Sequence, residues 1–124
     1  MRPKILVVED STIVAWEICD RLTRNGYEVF PPVISAEQAI AAAERVSPDL
    51  LIMDIRLRGT MDGIDAVREI QKRTPIPVIY LTGNSDEATT RRVLETHPVA
   101  NITKPFDEHD LLAAVAQAFN PKSG

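Results

Sequence analysis

The chain has 124 residues and a formal net charge of -4, with 44% hydrophobic and 26% charged residues. This composition is typical of a globular protein and excludes disorder and fibrous repeats. The mild acidity argues against direct binding of nucleic acid, which needs a basic surface. We expect a single domain over residues 1–124, with its core at about 4–119 and a short C-terminal tail at 120–124.

The only cysteine, Cys19, excludes an internal disulfide and favours a reducing compartment. In an amphipathic stretch such a residue is more often a small buried hydrophobe than a reactive thiol. Only four apolar residues precede Glu9, too few for a signal peptide, and no stretch approaches the roughly 20 apolar residues that span a bilayer. We therefore expect a cytoplasmic protein without membrane contact.

Strand and helix patterns alternate along the chain. The strand runs are apolar or β-branched, and the helical segments repeat apolar residues at helical spacing behind capping residues, such as Ser35 with Gln38. In chain order we predict strand Lys4–Val8, a helix capped by Ser11 or Thr12 and ended by Asn25-Gly26, strand Tyr27–Phe30, helix Ala36–Arg45, strand Asp49–Met53, a helix from about Gly63 to Arg73, strand Val78–Thr82, a helix from Asp86 to about His97, strand Val99–Thr103 and helix Asp107–Phe119.

Five strands that alternate with five helices predict an α/β fold, a doubly wound five-stranded parallel sheet with helices on both faces. Because the crossovers between parallel strands are right-handed, the carboxyl end of every strand lies along the same edge of the sheet. Polar residues that end different strands are therefore expected to meet, whatever their separation in sequence.

Four strand ends carry residues suited to metal or phosphate chemistry. Glu9 and Asp10 follow the first strand, Asp54 the third, Thr82 the fourth and Lys104 the fifth. For any one of these strand ends, a polar residue that faces solvent is a sufficient explanation. That explanation is a poor one for all four strand ends together. Three carboxylates with one obvious counter-charge need a cation, and ligands that are all oxygen select Mg²⁺, with Mn²⁺ as an alternative.

The same residues suit phosphoryl transfer. Lys104 supplies a point charge for a phosphate and Thr82 a short hydroxyl donor. Asp54 ends a buried run, so its carboxylate is expected near the middle of the sheet, held between metal and lysine. A carboxylate positioned in this way can attack a phosphoryl group and form an acyl phosphate.

Four motifs extend this interpretation: KILVVED, LLIMDIRLRGTMDGIDA, PVIYLTG and NITKPF. Together they cover essentially the whole chain, and the sequence resembles the receiver domains of two-component response regulators, including the CheY-like single-domain proteins. The resemblance implies a flavodoxin-like fold with strand order 2-1-3-4-5. It also implies a non-enzymatic signalling module in a phosphorelay.

By the same resemblance, Asp54 is the phosphoacceptor, and the phosphoryl group comes from a phosphohistidine on a sensor histidine kinase or a histidine phosphotransfer protein. Glu9 and Asp10 hold Mg²⁺, Asp10 directly and Glu9 through water, and Arg56 adds its backbone carbonyl. Thr82 is the switch hydroxyl that moves toward the new phosphate.

Lys104 pairs with that phosphate, and its peptide bond to Pro105 is expected to be cis. Asp62-Gly63 matches the turn that starts the third helix. The output is a conformational change read by a downstream protein target, without direct contact to nucleic acid.

The sequence departs from the usual receiver pattern at the position two before Lys104. The family carries an aromatic switch residue there, whereas this chain has Ile102. Activation is then expected to pass through the loop after Thr82 and the fourth helix. The loop after Asp54 is also longer than in the simplest receivers, and it carries two arginines, Arg56 and Arg58.

Arg56 and Asn84 occupy variable positions beside the site, where their identity is expected to influence the lifetime of the phosphate, although a plain surface role is equally consistent. A homodimer is a further expectation. It would pair Arg91 and Arg92 on the fourth helix with the acidic residues at the start of the fifth, which are Asp107, Glu108 and Asp110.

Two other functions remain open from the residues. A metal-dependent phosphatase with an aspartyl-phosphate intermediate usually needs a second carboxylate beside the nucleophile, where this chain has Ile55 and Arg56. A flavin or nucleotide carrier is disfavoured because no glycine-rich phosphate loop follows the first strand. A stand-alone receiver and a piece of a longer regulator both fit the sequence, and Met1 favours the former.

Overall fold

The computed structural model describes residues 2–83 and 86–120. Strands and helices alternate as predicted: β1 (Lys4–Val8), α1 (Thr12–Arg24), β2 (Glu28–Val29), α2 (Ala36–Val46), β3 (Leu50–Asp54), α3 (Gly63–Gln71), β4 (Val78–Thr82), α4 (Glu87–Glu95), β5 (Ala100–Thr103) and α5 (Glu108–Phe119). The strands form one parallel sheet in the order β2-β1-β3-β4-β5, which confirms the predicted fold.

Each face of the sheet has its own apolar core. One core packs α2, α3 and Val93 of α4 against alternate residues of β1, β3 and β4, such as Leu51 and Tyr80. The other packs α1 and α5 against the intervening residues, such as Ile52 and Leu81. Central strands covered on both faces explain why β3 and β4 are continuous apolar runs.

All five helices of the described ranges begin behind a capping side chain, as the sequence predicted for α1 and α2. The side chains of Ser11, Ser35, Asp62, Asp86 and Asp107 each accept a hydrogen bond from a backbone N–H in the first helical turn. The predicted capping box of α2 is only half formed. Its glutamine accepts from the backbone N–H of Ile34 rather than from that of Ser35.

Several element ends differ from the predicted ones. β3 continues through Asp54, because Asp54 still lies opposite Leu81 in the ladder. α4 ends at Glu95, two residues early, since the next hydroxyl, that of Thr96, donates to the Val93 carbonyl and His97 adopts a left-handed φ of 52°. β2 shrinks to the two residues that face β1.

No helix in the described ranges is both long and apolar enough to cross a bilayer. Cys19 packs against the α1–α5 core, and burial raises the pKa of its thiol to about 11. The residue is partly buried, where the sequence predicted a buried hydrophobe, and the raised pKa does not suit a reactive thiol.

Candidate functional site

Three carboxylates meet where β1 and β3 end side by side. Val8 of β1 lies opposite Met53 of β3, so the residues that follow them, Glu9 and Asp54, are neighbours. One carboxylate oxygen from each of Glu9, Asp10 and Asp54 lies within 4.8 Å of the others. Glu9 is 1% exposed and Asp54 4%, while Asp10 is half-buried. The topology thus brings together the carboxylates that the sequence predicted would meet.

Lys104 reaches this cluster from the end of β5. Its ammonium lies 2.8 Å from Glu9 Oε1 and 3.4 Å from Asp54 Oδ2. The backbone N–H of Lys104 donates to the Thr82 carbonyl at 2.7 Å, which fixes the start of this segment against β4. One lysine therefore bridges the two most buried carboxylates from two strands away.

The electrostatics of the cluster are dominated by burial and mutual repulsion. Burial, followed by a hydrogen bond to Glu9 and the charge of Glu9, raises the pKa of Asp54 to about 7, against opposing contributions from Lys104 and the Arg56 N–H. Burial also acts to raise the pKa of Glu9, but hydrogen bonds to Lys104, Asp54 and the Ser11 N–H outweigh it and lower that pKa. Of the two buried carboxylates, Asp54 is therefore the one whose charged form is disfavoured by the crowded negative charge.

The donor set fits a hard divalent cation. All three side chains offer oxygen, one of them is half-buried and open to water, and Lys104 leaves net negative charge uncompensated. These are the properties that retain Mg²⁺ or Mn²⁺ with several waters. The crowded carboxylates would gain from such an ion because it removes the repulsion that raises the pKa of Asp54.

Thr82 and Ile102 lie in the same region. Thr82 is the buried last residue of β4, paired with Thr103 of β5. Ile102 is buried in the α1–α5 core, so the residue that the sequence assigned to the switch position is a packed aliphatic side chain. The Lys104–Pro105 peptide is cis, the isomer that the resemblance implies.

Arg56 is an exposed residue that begins the loop after β3, and its N–H donates to Asp54 Oδ1 at 3.2 Å. This hydrogen bond joins the Asp54 carboxylate to the loop that follows β3. The metal role of its carbonyl stays a prediction. Asn84, the other predicted flanking position, lies outside the described residues.

The turn Asp62-Gly63 packs directly against the backbone of Asp54. A Cβ on Gly63 would lie 2.1 Å from the Asp54 carbonyl oxygen and 2.9 Å from the Met53 side chain. The Gly63 N–H donates to the Ile55 carbonyl at 2.8 Å. Only glycine allows the start of α3 to approach the backbone of Asp54 this closely.

Sequence reasoning missed the ion pairs of two arginines near the site. Arg92 donates to Asp62 at 2.8 and 3.1 Å and to Asp65 at 3.1 Å, so it ties α4 to the start of α3 within the chain, whereas the sequence assigned Arg92 to a dimer surface. Arg58 lies 3.7 Å from Asp10. None of these pairs follows from periodicity, because periodicity does not set the rotation of a helix or the path of a loop.

A cavity of about 380 Å³ opens beside Lys104, between α1 and the segment that follows β5. It is lined by Val14, Glu17, Ile18, Arg21, Lys104, Pro105 and Phe106. The lining is mixed apolar and ionic, which suits contact with another protein rather than a small metabolite.

Comparisons with known proteins agree with this geometry. The sequence matches the response regulator receiver domain family over residues 5–116. It is 31% identical over 115 residues to the transcriptional regulatory protein PdtaR of Mycobacterium tuberculosis, covering 93% of this chain and 56% of that protein. It is 33% identical over 116 residues to a protein-glutamate methylesterase/protein-glutamine glutaminase of Archaeoglobus fulgidus, covering 92% of this chain and 33% of that protein.

Solved structures give the same result. A CheY-like receiver domain protein from Methanospirillum hungatei has a TM-score of 0.90 at 27% identity, covering 100% of both chains. The signal receiver domain of a modulated diguanylate cyclase from Desulfovibrio desulfuricans also has a TM-score of 0.90 at 27% identity, covering 99% of this chain and 98% of that one. The chain spans about half or less of the two curated relatives, so what it shares with them is one domain. It belongs to the response regulator receiver domain family.

Proposed function

We propose that this receiver domain accepts a phosphoryl group on Asp54 and signals through the resulting change in its contacts with other proteins. The observation that carries this proposal is the bridge from Lys104 to both Glu9 and Asp54, with Asp10 beside them. A lysine placed on a buried carboxylate can neutralise a phosphoryl group when that carboxylate becomes phosphorylated.

In the reaction, a carboxylate oxygen of Asp54 attacks the phosphorus of a phosphohistidine on the partner. The P–O bond to Asp54 forms as the P–N bond breaks, and the electron pair of that bond stays on the donor imidazole. Glu9, Asp10, Asp54 and the Arg56 carbonyl would hold the divalent ion. When bound, that ion supplies positive charge to the phosphoryl oxygens. Lys104, whose ammonium lies 3.4 Å from Asp54 Oδ2, supplies a second positive charge.

Thr82 is the residue we assign to sense the phosphate. Thr82 ends β4, and its carbonyl accepts a hydrogen bond from the N–H of Lys104. The backbone that carries the Thr82 hydroxyl therefore also positions the residue that carries the ammonium. Because Ile102 is packed and aliphatic, we assign the transmission of the change to the segment after Thr82 and to α4 instead of to a rotating ring.

The donor partner we propose is a sensor histidine kinase or a histidine phosphotransfer protein. The cavity beside Lys104 lies next to the acceptor and is bordered by α1, which also exposes Ile13 and Trp16. The relatives carry their receivers in proteins named as a transcriptional regulator and as a methylesterase. For this chain we propose a protein target downstream, and a location in the cytoplasm.

The test is incubation with Mg²⁺ and acetyl phosphate, followed by intact-mass spectrometry. We expect the mass of one phosphoryl group, lost on treatment with hydroxylamine, on the wild type and on an Asp62→Asn control, but not on Asp54→Asn. An unmodified wild type, or a modified Asp54→Asn, would refute the proposal. Rapid turnover of simple phosphomonoesters by the wild type would instead support a metal-dependent phosphatase.

A further inference from the structure

The loop between β3 and α3 folds back over the site. Gly59, in the middle of this loop, has a φ of 108°, in the left-handed region that favours glycine. A Cβ there would meet no atom within 4 Å, so conformation and not space calls for glycine. The turn places Arg58 so that its Nε is 3.7 Å from Asp10 Oδ2.

The cations of the site are divided between the carboxylates. Lys104 pairs with Glu9 and Asp54. Within residues 2–83 and 86–120, the ion pair of Asp10 is the one with Arg58. Asp10 is also the most exposed member of the cluster and the one best placed to bind an incoming ion. An ion at Asp10 therefore competes with a guanidinium that is already there.

We propose that Arg58 exchanges partners: it pairs with Asp10 when the site holds no metal ion, and with the phosphoryl group on Asp54 when the site is loaded. The proposal rests on the proposed function, because it takes Asp54 as the acceptor. Arg58 then lowers the affinity for the divalent ion and raises the affinity for the phosphoryl group.

The geometry allows this exchange. The Arg58 side chain is 91% exposed, so its guanidinium reorients without disturbing the core. A carboxylate oxygen of Asp10 lies within 4.8 Å of one on Asp54, so a phosphoryl group on Asp54 extends toward the same region. Guanidinium groups bind phosphoryl oxygens through paired hydrogen bonds, which favours the second partner over a single carboxylate contact.

The first arm of the test measures Mg²⁺ binding by calorimetry without any phosphodonor. We expect Arg58→Gln to bind Mg²⁺ about two- to fivefold more tightly than the wild type, the range set by an exposed ion pair. Arg58→Lys should stay close to the wild type. The difference should shrink at high ionic strength, because screening weakens an exposed charge contact.

The second arm measures binding of beryllofluoride, an analogue of the phosphoryl group, at saturating Mg²⁺ by fluorine NMR. Here we expect the opposite sign, with Arg58→Gln binding about two- to fivefold more weakly. Arg73→Gln is the matched control for loss of one surface arginine. Arg73 also pairs with an exposed carboxylate, that of Glu44. It follows the C-terminal end of α3, at the edge of the sheet opposite the carboxylate cluster.

Opposite shifts in the two arms for Arg58→Gln, with neither shift in Arg73→Gln, support the exchange. Unchanged affinities in Arg58→Gln, or shifts of the same sign in both arms, overturn it. A wild type that binds neither Mg²⁺ nor beryllofluoride overturns the proposed function itself, so the two failures are distinguishable. Thermal unfolding of each variant checks that the fold is kept.

Discussion

Two groups of carboxylates flank the loop between β3 and α3, and the pKa values of Asp54 in one and Asp62 in the other shift in opposite directions. The strand-end cluster is Glu9, Asp10 and Asp54, and the α3-start cluster is Asp62 and Asp65. Burial and neighbouring charge raise the pKa of Asp54 to about 7. Burial also acts to raise the pKa of Asp62, but Arg92 and backbone N–H contacts outweigh it and lower that pKa.

The difference lies in how the negative charge is compensated. The two aspartates at the start of α3 receive a guanidinium and the N–H groups of a helix N-terminus, and they also cap each other's backbone. The three carboxylates at the strand ends share one lysine and one exposed arginine. Compensated carboxylates hold the structure together, whereas uncompensated ones are available for an ion and a reaction.

The largest effect is expected at Gly63, where the two clusters touch. Gly63→Ala places a Cβ 2.1 Å from the Asp54 carbonyl oxygen, so α3 has to move away from β3. We expect the free energy of unfolding in urea to fall by about 3 kcal/mol or more. Gly83→Ala is the control, because a Cβ at Gly83 meets no atom within 4 Å. Equal stability of the two variants would contradict the close contact.

The next contrast comes from one substitution made in both clusters. Asp54→Asn removes a buried charge from a repulsive group, and in metal-free buffer at pH 8 we expect it to raise the free energy of unfolding by about 2 kcal/mol. Asp62→Asn keeps the capping oxygen but loses the charge that pairs with Arg92, and we expect it to lower that free energy by about 1 kcal/mol. Urea unfolding gives both values. Shifts of the same sign would show that the clusters do not differ in charge balance.

The stability of the metal-free wild type should depend on pH in a matching way. The pKa of Asp54 in the native state, about 7, exceeds its ordinary value of 3.8, so between these values the native state binds more protons than the unfolded state. Stability therefore falls as pH rises from 5 to 8, by at most about 1.4 kcal/mol per pH unit. The lowered pKa of Glu9 acts in the opposite sense only below its ordinary value of 4.5.

Urea midpoints measured at several pH values check this slope. Asp54→Asn should show little dependence of stability on pH. Mg²⁺ at millimolar concentration should reduce that dependence in the wild type. A wild type whose stability rises steadily from pH 5 to 8 would contradict the raised pKa of Asp54.

The smallest effect is expected in the α3-start cluster, whose negative charge is compensated. Arg92→Gln removes the half-buried pair with Asp62 and Asp65, and we expect a loss of about 1 kcal/mol in the free energy of unfolding. Arg91→Gln is the matched neighbour, since its pair with Glu87 is more exposed and lies within α4 at 3.6 Å. The loss in that control should be smaller, by the same urea measurement.

Much of this molecule could be predicted from its sequence because the signals are local or periodic. Apolar runs and capping residues placed ten elements in order, and the rule that parallel strands end at one edge brought Asp54 to Glu9. The assignment of Ile102 to the switch position stays a prediction, and the sequence did not report the packing of that side chain. The same reasoning placed Arg92 at a dimer surface, because helical spacing leaves the rotation of α4 against α3 undetermined.

The pairing of Arg58 with Asp10 could not be predicted from the sequence for a related reason. A loop has no period, and its path here depends on a left-handed glycine and on the contact of Gly63 with β3. Both are tertiary properties that no window of sequence reports. The sequence therefore predicted which carboxylates meet at the strand ends, and the structure added which cations restrain them.

The attachment of α4 has a consequence for local unfolding. Val93 is the one buried residue of α4. Polar contacts tie this helix and its C-cap to α3 and its N-cap: Arg92 with Asp62, Glu95 with Arg68, and the carbonyl of Thr96 with Gln71. Detaching α4 exposes little apolar surface, so α4 is expected to open at a small fraction of the global free energy while the sheet stays intact. A segment that opens at low cost is the kind of element whose docked and open populations are redistributed by a small change in free energy.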